Sequence, residues 1–198
     1  MAQLGHIQDS SEGWATMSLD QIDCVVLGQL LRRPRAAVRE YARTLDLARG
    51  TVQARLDRLE RDGVIRDFAP SLDHATLGFP VMAFVHVDLQ QGQLEAVVHA
   101  LDTVKQVVEA FSTTGDADIL CRVAARHHAD LEAVIQAILG IPGVVRTRSE
   151  IALSERIPRR DLTLLTVVAR DAPTSPRAST AATAAGGTLD FDTDTRQA

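Results

Sequence analysis

Apolar side chains recur along this chain with two different periods, and the change from one to the other falls near Pro80. Before that point the spacing is helical. Ser18 followed by Gln21 fits a capping box, and Ile22, Val25, Val26 and Leu30 then recur every three or four residues until Pro34 stops the helix. A second helix is expected over residues 36–44, burying Val38, Tyr41 and Ala42, and a third over Arg49 to Asp62. The third places Val52, Leu56 and Leu59 on one stripe and has Gly63 as its carboxy-terminal cap. Between them Leu45 and Leu47 fill the corner of a short turn ending at Ala48. Val64, Ile65 and Phe68 then read as a short strand, the wing of a three-helix module.

From Pro80 the period becomes two. Val81, Ala83, Val85, Val87 and Leu89 alternate with Met82, Phe84, His86 and Asp88, as a strand with one buried face requires. A helix carrying Leu94, Val97, Val98 and Leu101 follows, then strands over residues 104–113 and 118–125. A helix with Leu131, Val134, Ile135 and Ile138 ends near Gly140, and after Pro142-Gly143 comes a strand over residues 144–153. The order β-α-β-β-α-β is the ferredoxin-like arrangement, an antiparallel sheet with both helices on one face. The apolar run from Leu162 to Val168 suggests one more strand. The chain is thus expected to be α+β: a three-helix, winged helix-turn-helix over residues 18–69, a linker over 70–79, and a ferredoxin-like domain over 80–170. Residues 1–17 lack periodicity, and residues 171–198 are rich in Ala, Thr, Ser, Pro and Gly, so both are expected to be disordered.

With 198 residues, 45% of them hydrophobic and 24% charged, the chain can bury two small cores. No stretch approaches the roughly 20 apolar residues of a membrane span and no signal peptide is evident, which places the protein in the cytoplasm. Cys24 and Cys121 lie far apart in sequence and read as small buried apolar residues. The six histidines make no metal-ligand pattern, and no phosphate-binding loop or dinucleotide fingerprint is present, so neither metal nor cofactor is expected. The net charge of −5 opposes nucleic-acid binding until its distribution is considered. From Arg32 to Asp67 ten arginines face six acids, a local balance of +4.

That basic window coincides with the third helix, whose face away from Val52, Leu56 and Leu59 is polar. Gln53 has the geometry to read adenine, and Arg49 or Arg58 suits guanine or phosphate. Gly50 and Ala54 allow close approach to a duplex, Thr51 and Arg55 flank the face, and Arg35 with Arg32 and Arg33 suits the phosphate backbone. Double-stranded DNA is the partner these residues fit. The same face also suits an interaction protein whose helices merely dock a partner.

These residues resemble the Lrp/AsnC, or feast/famine, family of regulators over nearly all of Leu19 to Leu165. LDQIDCVVLGQLLRRPRAAVREYA is similar to the family's first two helices, LARGTVQARLDRLERDGVI to its recognition helix, TTGDADILCRV to its effector-domain hairpin, and IPGVVRTRSEIAL to its last core strand. Asp46 and Ala48 depart from it, standing where the family often has Gly and a capping Ser or Thr. The resemblance implies effector binding near Thr114, Gly115, Asp116 and Asp118, with Thr147 on the last strand. An amino acid fits chemically, because carboxylates and backbone N–H groups answer its two charged ends. A solvated turn would also use Gly and Asp there. The uncovered sheet face is expected to pair with a second copy as a homodimer, and the resemblance adds higher assemblies such as octamers. Siroheme decarboxylases resemble the same two-domain layout and supply an enzyme alternative.

Overall fold

The computed structural model describes residues 19–173, and these divide into two units. One takes in the described residues up to Ala69 and again from Arg159 onward; the other runs from Pro70 to Pro158. The segments expected to be disordered, residues 1–17 and most of 171–198, lie outside the described residues, as does Ser18.

In the first unit helix α1 (Gln21–Arg32) is capped by Asp20. The Asp20 carboxylate accepts from the Asp23 N–H at 2.9 Å, and the Asp23 carboxylate accepts from the Asp20 N–H at 3.0 Å. The cap is therefore a reciprocal aspartate pair rather than the expected Ser18–Gln21 box. Helices α2 (Val38–Thr44) and α3 (Arg49–Arg61) follow as expected, with Tyr41, Ala42, Leu45, Val52, Leu56 and Leu59 in one core with Ile22 and Val26. Gly63, at φ 73°, ends α3 in the left-handed conformation and lets the Ile65 N–H return to the Leu59 carbonyl.

Two expectations in this unit are corrected. Residues 64–68 form no strand, and so no wing strand follows α3: Ile65 plugs the core while Val64 and Phe68 stay exposed. A lone strand has no ladder partner for its backbone groups, and none of the described strands belongs to this unit. The run 162–168 is not a strand either. It lies within helix α6 (Asp161–Asp171), whose Leu165 and Ala169 are buried in the α1 core, with Leu162 and Ala172 packed against it. Spacings of three and four residues explain why: they put these four side chains on one helical stripe. The Gln21 N–H donates to the Pro173 carbonyl at 3.3 Å, tying the end of this segment to the start of α1. The limit expected for the second domain at residue 170 is accordingly too late, since residues 159–170 belong with the helices.

The second unit is a four-stranded antiparallel sheet in the order β2-β3-β1-β4, built from β1 (Val81–Leu89), β2 (Val107–Ser112), β3 (Ile119–Ala125) and β4 (Val144–Ala152). Helices α4 (Leu94–Asp102) and α5 (His128–Leu139) supply Val97, Leu101, Leu131, Val134 and Ile138 to a core completed by Ala83, Val85, Val87, Ile119, Cys121 and Val123. The period-two reading is realised residue by residue: Val85 sits opposite Cys121 and Val87 opposite Ile119 on the helix side. The other face carries Met82, Phe84, His86, Leu120 and Phe111. Its charges pair among themselves, Arg122 with Glu109 at 3.1 Å and Arg146 with Asp88 at 2.7 Å.

Candidate nucleic-acid interface and effector hairpin

The three-helix core orients α3 by burying Val52, Leu56 and Leu59, which leaves Arg49, Gly50, Gln53, Ala54, Asp57 and Arg61 exposed and Thr51 half-buried at the margin. The Gln53 side-chain amide donates to Asp57 at 2.7 Å across one helical turn. This pair holds the exposed Gln53 side chain along the outer surface of α3. The turn into α3 is the departure noted in the sequence. Asp46 has φ 51°, a conformation that costs an L-residue with a side chain. Ala48 occupies the cap position without a side-chain acceptor, so the first N–H groups of α3 receive none from it.

A second basic feature adjoins α2. The Tyr41 hydroxyl donates to the Arg33 carbonyl at 2.6 Å and so pins the α1–α2 turn that carries exposed Arg33 and Arg35. The helical periodicity marks Tyr41 as a core residue, and a buried phenol in addition needs a hydrogen-bond partner, which the Arg33 carbonyl supplies. Burial pushes its hydroxyl pKa up, and the neighbouring Glu40 adds to the effect.

Two of the arginines expected to meet DNA are occupied within the protein. Arg55 Nη1 lies 2.6 Å from Asp20 Oδ1 and 2.7 Å from Asp23 Oδ1, and Arg58 Nη2 pairs with Asp23 Oδ2. Asp23 is 0% exposed and is the buried charged residue among those described. Burial alone would push the Asp20 carboxyl up, but hydrogen bonds from Arg55 and the Asp23 N–H, with the guanidinium charge, hold it below the usual carboxylate range. For Arg55 burial works against the charged form, and the two aspartates outweigh it to raise the pKa.

In the second unit the β2–β3 hairpin presents Thr114, Gly115 and Asp116 to solvent. Its neck is closed by the Thr113 N–H donating to the Asp118 carbonyl at 3.0 Å, with the Thr113 hydroxyl on the Ala117 carbonyl. Asp118 is largely engaged in the scaffold. Its N–H donates to the Val87 carbonyl at 3.1 Å, and its Oδ2 accepts from the Leu89 N–H at 2.7 Å. Gly115 does not have a left-handed φ, and a Cβ there would meet nothing within 4 Å. Backbone geometry therefore gives no reason for glycine at this position. Thr147 lies opposite Val87 on the helix-packed side of β4 and is half-buried. Among the described residues no group of three His, Cys, Asp or Glu side chains gathers as a metal site would. His127 instead caps α5 by accepting from the Asp130 N–H at 3.0 Å. No helix of the described residues is long and apolar enough to cross a membrane.

A helix presented by a three-helix core, joined in one chain to a ferredoxin-like unit, defines a DNA-binding regulator with an appended sensor domain. Comparisons with known proteins agree. Residues 19–66 match the winged helix-turn-helix DNA-binding model, and residues 82–162 match the Lrp/AsnC ligand binding domain. The HTH-type transcriptional regulator FL11 of Pyrococcus abyssi is 30% identical over 137 residues, covering 69% of this chain and 91% of its own length. The structure of E. coli AsnC superposes with a TM-score of 0.67 at 26% identity, over 71% of this chain and 96% of its own. A feast or famine regulatory protein from M. tuberculosis, complexed with L-methionine, has a TM-score of 0.66 at 29% identity over 72% of this chain and 97% of its own. The chain belongs to the Lrp/AsnC family of transcriptional regulators. These relatives are regulators rather than enzymes, which removes the ground for the decarboxylase alternative.

Proposed function

We propose that this regulator binds specific double-stranded DNA sequences as a homodimer and that an amino acid, bound at the β2–β3 hairpin, adjusts that binding. The observation that carries the DNA half is the outer face of α3, where Arg49, Gly50, Thr51, Gln53 and Ala54 combine one flexible cation, one side-chain amide, one hydroxyl at the margin and two small residues. That set suits close entry into a major groove, with Gln53 on an adenine edge and Arg35 on the flanking phosphates. Arg55 and Arg58 are left out of it because their guanidinium groups are bound to aspartate. As a DNA-binding protein it acts in the cytoplasm, beside the genome.

The dimer reading rests on the uncovered sheet face, where Phe111 is 54% and Phe84 38% exposed between paired charges. A second copy of the same face would bury both rings symmetrically. Octameric assembly is a further step for the same protein. The effector reading rests on Gly115 and Asp116, exposed side by side where a ligand's ammonium meets a carboxylate and its carboxylate meets N–H groups. The M. tuberculosis relative's complex with L-methionine supports that ligand class. Thr114 borders this position, while Asp118 and Thr147 support it from the sheet.

The test is electrophoretic mobility shift against a duplex selected from a random pool, with and without each amino acid. Gln53→Ala is expected to weaken the selected duplex by tenfold or more while sparing a scrambled one. Asp116→Ala is expected to abolish the amino-acid response without changing DNA affinity in its absence. Equal loss on both duplexes would refute the reading of Gln53, and a retained response would refute the effector site.

A further inference from the structure

The recognition helix carries four arginines, Arg49, Arg55, Arg58 and Arg61, but they are not used alike. Arg49 and Arg61 are exposed, whereas Arg55 and Arg58 reach back along one flank of α3 to α1. There every oxygen of a fully buried carboxylate is occupied. Asp23 Oδ1 accepts from Arg55, and Oδ2 accepts from Arg58 and from the Asp20 N–H. Asp20 closes the ring, since its Oδ1 accepts both from the Asp23 N–H and from Arg55.

The arrangement has a directional consequence. The apolar stripe of α3 limits how far the helix moves from the core, but aliphatic packing alone tolerates a rotation about the helix axis. Two guanidinium groups one turn apart, fastened to one carboxylate that cannot leave the interior, do not tolerate it. We propose that Asp23 is a positioning residue for DNA readout: it sets the rotation of α3 so that Arg49, Gln53 and Ala54 face outward, and it withholds Arg55 and Arg58 from phosphates. The withheld charges matter as much as the fixed helix. Mobile arginines beside the groove strengthen binding to every sequence equally, so their capture lowers non-specific affinity and raises discrimination.

This inference rests on the DNA-binding reading of α3, and its test separates the two. Affinities of full-length protein for the pool-selected duplex and for a scrambled duplex are measured across a salt series by fluorescence anisotropy. Arg49→Gln is expected to flatten the dependence of log affinity on log salt by about 0.9 for each phosphate that is no longer neutralised. Arg55→Gln and Arg58→Gln are expected to leave that slope unchanged, because those side chains touch no phosphate. Asp23→Asn, which keeps the volume and removes the charge, is expected to steepen the slope on scrambled DNA and to lower the selected-to-scrambled ratio about tenfold. A purely structural role would reduce both affinities together. A flattened slope in Arg58→Gln matching that of Arg49→Gln overturns the proposal, as does an unchanged ratio in Asp23→Asn. Protection of Cys24 from thiol reagents checks that each variant is folded; should Asp23→Asn fail it, the two arginine variants decide alone. A wild-type protein that prefers no duplex overturns the proposal together with the reading beneath it.

Discussion

The two units close their cores differently. In the sheet unit the buried set among the described residues is entirely apolar, from Ala83, Val85 and Val87 to Leu131 and Ile138, and its charges pair on the open face. In the helical unit the core borders a buried aspartate and needs Leu165 and Ala169 from a helix about 100 residues downstream of α3. The sheet unit is held by non-directional burial. The helical unit adds a directional charge cluster, and that is the unit whose orientation is read by a partner.

Each unit contains one of the two cysteines, both buried, which allows them to be followed separately. Burial pushes the Cys121 thiol up to about 11; for Cys24 burial, with Asp23 and Asp20, does the same. Both are therefore inert to thiol reagents near neutral pH until their own unit opens.

The largest expected effect is Ile138→Ala, a cavity at a 0% exposed position of the sheet unit. It is expected to cost about 4 kcal/mol and to speed labelling of Cys121 but not Cys24. Leu165→Ala is expected to cost about 2.5 kcal/mol and to do the converse, speeding Cys24 alone. Labelling of both at equal rates would show that the units open together and erase the contrast. A smaller gain, about 1 kcal/mol, is expected from Ala48→Ser, which supplies the missing acceptor at the start of α3; chemical denaturation followed at Cys24 measures it.

The smallest effect is on pH. The Asp20 carboxyl sits below its usual range in the folded protein, so its contribution is complete above that range and is lost as pH falls through the folded value. The expected size is about 0.5 kcal/mol after solvent screening. A pyridyl disulfide reagent, active in acid, is expected to show Cys24 exposure rising as the pH drops through this window, and Asp20→Asn is expected to flatten the rise.

The same contrast decided what the sequence disclosed. Strict alternation from Val81 to Leu89 has one physical solution, so the sheet and its helices were readable with their limits off by a few residues. The short apolar run from Leu162 to Val168 fits strand and buried helix equally, and only the core of α1 chooses between them. Val64 and Ile65 have strand-like side chains without a strand to pair with. In the site, the outward face of α3 followed from its periodicity, but the destination of Arg55 and Arg58 did not. Their partners are 32 to 35 residues away, and a basic side chain looks the same in sequence whether it meets a phosphate or an aspartate.

Helix α6 also orders events during synthesis. The sheet unit is one uninterrupted stretch, whereas the helical unit has to wait for residues 159–173. At typical elongation rates roughly 5 to 20 s separate the emergence of Ala69 from that of Pro173. A nascent chain that has reached only Pro158 thus holds every residue of the sheet unit but lacks the helix that brings Leu165 and Ala169 to the helical core. Chain order thus makes the sheet unit the first of the two to be complete and the helical unit the last.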